Sequence, residues 1–265
     1  MIIALHRVRA LILRHLFLQL RDLPRIADIL FWPQVDIILW GFTGFVACQD
    51  QTTYLSRAFI PLIGAFFWQY VLRGSMDIAV SVLEEFWQHN MFNLFSTPLT
   101  LAEWALALMT LGLIRVTLIT IVCSVIVWIF FKFTILSLGI GVVPVIASLI
   151  LSGWVVGFVS ASLIIYWGQR MQAFVWGLPW LIAPFSAVFY PLAVLPHFMR
   201  MIGKGLPMTY VFETLRHMVD TGCMRYDLLS ISLMLNVIYL AMAMTFFSFM
   251  FNKSKQRGLV RLERE

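Results

Sequence analysis

The sequence is poor in charged residues and in cysteine, and both shortages limit the classes of protein to which the chain can belong. Only 12 % of its 265 residues are charged and 61 % are hydrophobic, whereas soluble domains have about 25 % charged residues. A soluble core of this length has no room for so much apolar surface, but a bilayer accepts it. The cysteines lie far apart and match no metal or disulfide spacing: Cys48, Cys123 and Cys223. The composition therefore predicts an integral membrane protein.

Patterns of catalytic and nucleotide-binding residues are also lacking. Intramembrane serine proteases and di-metal hydroxylases carry histidines on their membrane helices. Here all five histidines fall outside the long apolar runs: His6, His15, His89, His197 and His217. The one Gly-Lys pair, at 203–204, lacks the leading glycine of a phosphate loop, because position 198 is Phe. We therefore expect that the chain is not an enzyme, binds no metal or cofactor and does not hydrolyse ATP by itself.

The apolar residues form long runs, and six of these are long enough to cross a bilayer. A span needs about 20 apolar residues to cover a hydrocarbon core of about 30 Å. The predicted spans are residues 27–47, 58–83, 105–131, 138–167, 174–192 and 228–251. Lysines and arginines are concentrated in both tails, which favours cytoplasmic ends and an even number of spans. Four or eight spans stay open, because six would place these residues outside: Arg200, Lys204, Arg216 and Arg225.

The N-terminal segment, residues 1–26, predicts an amphipathic helix that lies on the membrane surface. Its arginines fall nearly on one line of a helix: Arg7, Arg14, Arg21 and Arg25. Leucine and isoleucine side chains lie roughly opposite, and such a helix suits an anionic inner leaflet. The alternative is an ordinary cytoplasmic helix packed on protein. At the other end of the chain, residues 252–265 predict a basic cytoplasmic tail.

A polar stretch, residues 84–103, separates the second and third predicted spans. Its part from Glu84 to Pro98 predicts one short helix. The apolar stripe of this helix consists of Trp87, Met91, Leu94 and Phe95. Its polar side consists of Glu85, His89, Asn93 and Ser96. A cytoplasmic helix of this kind can lie in a groove of a partner protein, and the alternative is that the stripe packs on the chain's own spans.

Among the charged residues inside predicted spans, Asp36 in the first and Arg115 in the third are candidates for a functional role. Intramembrane charges are costly and often mark function. A structural role is also open for each: Asp36 bridges helices near Pro33, and Arg115 extends its charged end to the cytoplasmic interface. In the second span, Arg73 and Asp77 are four residues apart, which allows them to pair on one helix face.

The region between the fifth and sixth predicted spans combines short apolar pieces with helix-breaking residues. Pro191, Pro196 and Pro207 interrupt helices, and Gly203 and Gly205 permit a tight reversal. Broken backbone at membrane depth persists only where protein or a water-filled cavity covers it. Residues 195–227 therefore predict a re-entrant helical hairpin, and the alternative is an external amphipathic helix.

Two segments here resemble a known pattern. The sequence FSAVFYPL at 185–192, the Leu-Pro at 195–196 and the run PMTYVFETLR at 207–216 resemble the permease subunits of type-two ABC exporters. In those proteins the pattern covers the end of the fifth span and the re-entrant hairpin that follows. Its matching residues are Tyr190, Pro191, Pro196, Pro207, Tyr210, Glu213 and Arg216. The chain length, the basic N-terminal helix and the polar loop between spans two and three agree with that family.

The resemblance implies an all-α integral membrane fold with six transmembrane helices, an interface helix and a re-entrant hairpin before the last span. It also implies a bacterial inner-membrane location and export of a substrate that stays open. Two permease copies would pair around a central pathway, and separate ABC subunits would bind ATP and Mg. The loop at 84–103 would couple to those subunits. The resemblance implies no nucleic-acid partner. A membrane-embedded transferase or a scaffold subunit of a larger complex is the alternative.

Overall fold

A computed structural model describes residues 4–47, 55–134 and 139–256. Within these ranges every regular element is a helix, so the predicted all-helical class is confirmed there. Short 3₁₀ turns occur at Gly168–Met171, Ala183–Phe185 and Leu192–Val194. The α-helices are α1 (Leu5–Leu20), α2 (Leu23–Ala47), α3 (Leu55–Trp87), α4 (Met91–Ser96), α5 (Leu101–Phe131), α6 (Val142–Trp167), α7 (Gln172–Ile182), α8 (His197–Gly205), α9 (Pro207–Thr221) and α10 (Tyr226–Gln256).

Three helical stretches in the described part of the chain are long and apolar enough to cross a membrane. They are Leu101–Phe131, Val142–Phe185 and Tyr226–Gln256. Large apolar side chains on their outer faces, such as Ile121 of α5 and Met242 of α10, are about half exposed or more. Apolar side chains so placed suit contact with lipid, and the three stretches are consistent with a membrane protein. The count of six spans remains a prediction.

Helices α3 and α6 pack against each other at the centre of the bundle. Small residues allow the backbones of these two helices to approach closely. A Cβ atom added at Gly153 would lie 3.0 Å from the carbonyl oxygens of Tyr70 and Val71. One added at Gly157 would lie 2.9 Å from the carbonyl oxygen of Ser75. Small residues at helix contacts are typical of membrane bundles, where close backbone packing holds helices together.

Two hydrophobic clusters fill the bundle. One contains Phe86 of α3, Trp104 of α5 and Phe247 of α10, together with residues of α1 and α4. We call this part, where α1, α4, the last turns of α3 and α10 and the first turns of α5 meet, the α4 end. The other cluster contains Phe67 of α3 and Phe212 of α9, and we call that part the α9 end.

The N-terminal helix is shorter than predicted, and Arg25 is not part of it. Helix α1 ends at Leu20, the chain turns at 21–22, and Arg25 lies in the first turn of α2. Proline fits the first turn of a new helix but interrupts a continuing one. Pro24 therefore explains why a new helix starts here.

The single helix predicted from Glu84 to Pro98 is two helices. Helix α3 continues to Trp87, and α4 begins at Met91. Between them His89 has a φ of 50°, a left-handed conformation that ends a helix. The side-chain amide of Asn90 donates to Glu85 Oε2 at 2.7 Å and holds the turn in place.

The fifth predicted span, 174–192, is also shortened. Helix α7 ends at Ile182, and one 3₁₀ turn continues it to Phe185. Beyond that turn the chain leaves helical geometry, since Ala187 has a φ of 54° and Pro191 is extended. The stretch from 186 to 191 is therefore irregular backbone next to a membrane-competent helix.

Candidate functional site

The best-defined polar cluster of the described chain lies at the α4 end, where α1 packs on the last turns of α3. Arg14 donates two hydrogen bonds to Glu85, from Nη1 to Oε1 at 2.8 Å and from Nη2 to Oε2 at 3.1 Å. The Glu85 side chain is 1 % exposed. His15 is also buried, at 3.5 Å from Glu85 and 3.9 Å from Glu84. A buried carboxylate needs a charged or hydrogen-bonding partner, and α1 supplies these partners to α3.

A second connection ties the start of α1 to the start of α5. Thr100 and Glu103 form a capping box, in which the Thr100 N–H donates to Glu103 Oε2 at 2.8 Å. Glu103 Oε1 also accepts from the Ala4 N–H at 2.8 Å. Arg7 lies 3.7 Å from Glu103 and donates to the carbonyl oxygen of Pro98. Arg7 therefore joins α1 to the segment between α4 and α5.

The intramembrane charge Arg115 is buried in a third connection. Its Nε donates to Gln19 Oε1 of α1 at 2.8 Å, and its Nη1 donates to Asp77 Oδ1 of α3 at 3.2 Å. The side chains of Arg115 and Asp77 are 4 % and 8 % exposed. The expectation that Arg115 extends to the membrane interface is therefore wrong. The guanidinium instead donates hydrogen bonds inside the bundle through its Nε and Nη1.

The four predicted interface arginines lie in three different places. Arg7 and Arg14 contact carboxylates of this chain, as described above, so they hold α1 on the bundle. Arg21 is exposed at the turn that follows α1. Arg25 lies in α2, so the line of four arginines on one helix does not exist.

Most of the predicted apolar stripe between α3 and α5 packs on this chain. Met91 and Leu94 are buried. The ring of Phe95 lies 5.2 Å from the ring of Trp104 and 4.5 Å from that of Phe251. These three residues of the stripe therefore contribute to the fold of the α4 end.

The opposite face of this segment is exposed. Trp87 is 44 % exposed and Phe92 is 57 % exposed. Three polar residues next to them in the sequence are exposed as well: Gln88, His89 and Asn93. We call these five residues the α4 patch. Sequence periodicity did not identify Phe92, because the left-handed turn at His89 changes which side of α4 faces outward.

Glu213 and Arg216 stabilise the irregular backbone at the α9 end. Glu213 Oε1 accepts from the Leu192 N–H at 2.8 Å and from Arg216 Nη2 at 3.1 Å. Arg216 also donates to the carbonyl oxygens of Ala187 and Val188. Burial lowers the pKa of the Arg216 guanidinium, and the Glu213 carboxylate opposes this shift. The pair provides hydrogen bonds where no helix does.

The other residues of the resembling pattern close turns in the same region. Tyr190 Oη donates to the carbonyl oxygen of Pro184 at 2.6 Å, and Tyr210 Oη donates to that of Lys204 at 2.7 Å. The three prolines stand immediately before or at the start of helical pieces, where a missing N–H costs nothing: Pro191, Pro196 and Pro207.

Asp36 bridges two helices at the edge of a cavity. Gln69 Nε2 of α3 donates to Asp36 Oδ2 of α2 at 3.1 Å. The cavity beside this bond has a volume of about 270 Å³. Its lining residues come from α2, α3 and α7: Trp32, Asp36, Leu72, Arg73, Met76, Trp176 and Trp180.

In the described ranges, no group of three or more His, Cys, Asp or Glu side chains is placed to hold a metal ion. Comparison with known protein families finds none that matches this sequence, and comparison with curated proteins also finds no match.

Proposed function

We propose that this chain is the membrane-spanning permease subunit of an ATP-driven ABC exporter. Two copies form the translocation pathway, and two separate subunits bind and hydrolyse ATP with Mg. The observation that carries the proposal is the α4 patch. Trp87 at the end of α3 and Phe92 in α4 are exposed on either side of a turn. Charged and hydrogen-bonded contacts of Glu85 hold this turn in place. The resemblance of residues 185–216 to exporter permeases supports the same assignment.

The α4 patch has the properties that a coupling element requires. Its apolar rings offer contact area, and burying Trp87 or Phe92 in a partner groove contributes on the order of 1.5–3 kcal/mol each. The hydrogen bonds of Glu85 and Glu103 connect the chain around the α4 patch to α1, α3 and α5. A push on the patch by an ATPase subunit therefore displaces three helices together, including two that extend toward the α9 end.

The proposal includes a topology of six crossings. The crossing segments are α2, α3, α5, α6, α10 and the stretch from the start of α7 to residue 192, with the α4 end and both chain ends in the cytoplasm of a bacterial cell. Helices α8 and α9 form a re-entrant hairpin in the outer leaflet. The exposed side chains of Phe198 and Met201, at 71 % and 65 %, are apolar and suit contact with lipid chains there.

The experiment that tests this function first searches the genes beside this one for an ABC ATPase and then co-purifies that ATPase with the chain. We expect a stable complex in lipid nanodiscs whose ATP hydrolysis differs from that of the isolated ATPase. Trp87→Ala should weaken the complex, and Trp128→Ala should not. Trp128 is the matched control, because it is exposed to a similar degree but lies near the far end of α5. If the neighbouring ATPase neither binds nor responds to the permease, the proposal fails.

A further inference from the structure

Gly112 of α5 leaves a small space inside the bundle, where α3, α5 and α6 meet. The atoms nearest to a Cβ added at this glycine are Trp154 Nε1 and Asp77 Cβ, each at 3.8 Å, and Asp77 Oδ2 at 4.0 Å. These are ordinary van der Waals separations, so the space has room for one group of about the size of a methyl. Trp154 lies near the middle of α6, about 18–20 Å from either end of that helix.

Polar atoms on two sides of this space lack a hydrogen-bond partner. Among the residues that the structure describes, none bonds to Asp77 Oδ2 or to Trp154 Nε1, and both atoms are buried. The whole Asp77 residue is only 7 % exposed. Its other oxygen, Oδ1, accepts from Arg115. A buried N–H or carboxylate oxygen without a partner is costly, and no bulk solvent reaches it inside a membrane.

The two unpaired atoms limit the kind of ligand that the space can hold. The Trp154 N–H requires an acceptor, whereas the Asp77 oxygen requires a donor. A metal cation cannot accept a bond from an N–H group, and a chloride ion cannot donate one to a carboxylate. An organic molecule is larger than the space. Water both donates and accepts, and a single water molecule is about as large as a methyl group.

We infer that Gly112 forms a binding site for one water molecule. The water accepts from Trp154 Nε1 and donates to Asp77 Oδ2, so it connects α6 to the charged pair between α3 and α5. Buried waters of this kind bond to polar groups that would otherwise be unsatisfied. Gly112 does not have the positive φ that favours glycine, so its role is the room that it leaves. The site is independent of the proposed exporter function, because it needs neither an ATPase nor a substrate.

The first experiment replaces Gly112 with alanine in the full chain. In a helix interior this exchange normally lowers the equilibrium constant of unfolding about two- to fivefold. Here the added methyl fits without a clash, but it displaces the water and leaves two buried polar atoms without a bond. Gly112→Ala should therefore raise the unfolding constant about fivefold or more, measured by tryptophan fluorescence during SDS titration.

The matched control is Gly177→Ala. Gly177 lies inside α7, and a Cβ added there has no atom of the described chain within 4 Å. This exchange should therefore lower the unfolding constant in the ordinary way. The same helix propensity thus predicts one sign at both glycines, and the water site predicts opposite signs.

A further variant, Trp154→Phe, removes the N–H group and keeps an aromatic ring. In this background Gly112→Ala should raise the unfolding constant by a smaller factor than in the unchanged chain, because only the Asp77 oxygen then loses a bond. Equal factors in the two backgrounds would contradict a shared water.

A direct observation accompanies the stability measurements. Nuclear magnetic resonance of the chain in nanodiscs, with isotope-labelled tryptophan, detects transfer of magnetisation from water protons to indole N–H groups. Trp154→Phe identifies the Trp154 signal by its loss. We expect a water cross-peak at the Trp154 N–H that Gly112→Ala removes. If Gly112→Ala does not fold, the cross-peak in the unchanged chain decides the question by itself.

Three outcomes would overturn the inference. One is that Gly112→Ala stabilises the chain as Gly177→Ala does, and another is that the Trp154 N–H shows no cross-peak with water. The third is an unfolding constant that falls about tenfold as sodium chloride is raised, with no such fall in Gly112→Ala. That result would assign the site to an ion, because a ligand that binds only the folded state stabilises it in proportion to its concentration.

Discussion

Both ends of the bundle use arginine–carboxylate pairs, but the pairs connect different things. At the α4 end the partners are far apart in sequence, 71 residues for Arg14 with Glu85 and 38 residues for Arg115 with Asp77. At the α9 end Glu213 and Arg216 lie on one helix, three residues apart. Their remaining hydrogen bonds go to backbone groups of the irregular segment before α8.

The difference follows from the backbone geometry at each end of the bundle. The α4 end consists of separate helices, and its charged pairs join residues of different helices, so they fix one helix against another. The α9 end contains backbone that leaves helical geometry, so its charges supply missing hydrogen bonds. We expect that disrupting the first kind of pair loosens whole helices, whereas disrupting the second loosens one segment.

The largest effect is predicted for Asp77→Ala. It removes the carboxylate from Arg115, whose side chain is 4 % exposed, and an uncompensated buried charge costs about 3–5 kcal/mol. The free energy of unfolding, followed by tryptophan fluorescence during SDS titration, measures this. Replacing both partners, as Asp77→Leu with Arg115→Met, should restore most of the loss. A loss below about 1 kcal/mol for Asp77→Ala would contradict the pairing.

A smaller effect is predicted for Arg14→Ala. Glu85 then loses a bidentate partner but keeps the hydrogen bond from Asn90, and hydrogen bonds to charged groups contribute about 1.5–3 kcal/mol. The same SDS titration should show a loss in this range. Arg14→Lys should recover only part, because an ammonium cannot reproduce the two parallel bonds. Full recovery would show that the geometry of the pair is unimportant.

At the α9 end, Arg216→Ala should cost about 1–3 kcal/mol by leaving the carbonyls of Ala187 and Val188 without a donor. The effect should be local. Cysteines introduced in turn at Leu192 and at Phe86 report it: their thiol-labelling rates should rise at Leu192 and stay unchanged at Phe86. An equal rise at both positions would show that Arg216 holds the whole bundle.

The smallest effect is predicted for Arg225→Ala. Arg225 pairs with Asp227 at 2.6 Å, but the two side chains are 45 % and 58 % exposed. Exposed pairs contribute about 0–1 kcal/mol, so the SDS unfolding midpoint should barely move. A loss as large as that of Arg216→Ala would mean that exposure does not separate the two arginines.

The sequence was informative where the signal is long and local. Each predicted apolar run overlaps one of the helices α2, α3, α5, α6, α7 or α10, because about 20 apolar residues in a row leave few alternatives. Pro191 and Pro196 marked interruptions of the helices for the same reason, since proline restricts the backbone at its own position and just before it.

The arginine–carboxylate pairs and the cavity could not be predicted from the sequence. The residues around Arg115 in the sequence do not predict whether it pairs with Asp77 or is exposed, because the pairing depends on how α3 and α5 pack. The exposure of Phe92 depends on the left-handed turn at His89, which histidine does not signal. The cavity joins Trp32 to two tryptophans of α7, and only the tertiary arrangement brings these helices together.

The two faces of α4 give the most direct test of the proposed coupling role. Phe92 is 57 % exposed, whereas Phe95 contacts Trp104 and Phe251. The two residues are three positions apart on the same short helix, so Phe92→Ala and Phe95→Ala are matched variants. For each we would measure the Kd for the ATPase subunit and the free energy of unfolding.

The account predicts opposite results for the pair. Phe92→Ala should weaken ATPase binding about tenfold or more with unchanged stability. Phe95→Ala should lower stability by about 3–5 kcal/mol, and the fraction that stays folded should bind the ATPase normally. If Phe92→Ala leaves binding unchanged, or if both variants only destabilise the chain, the α4 patch is not the docking site.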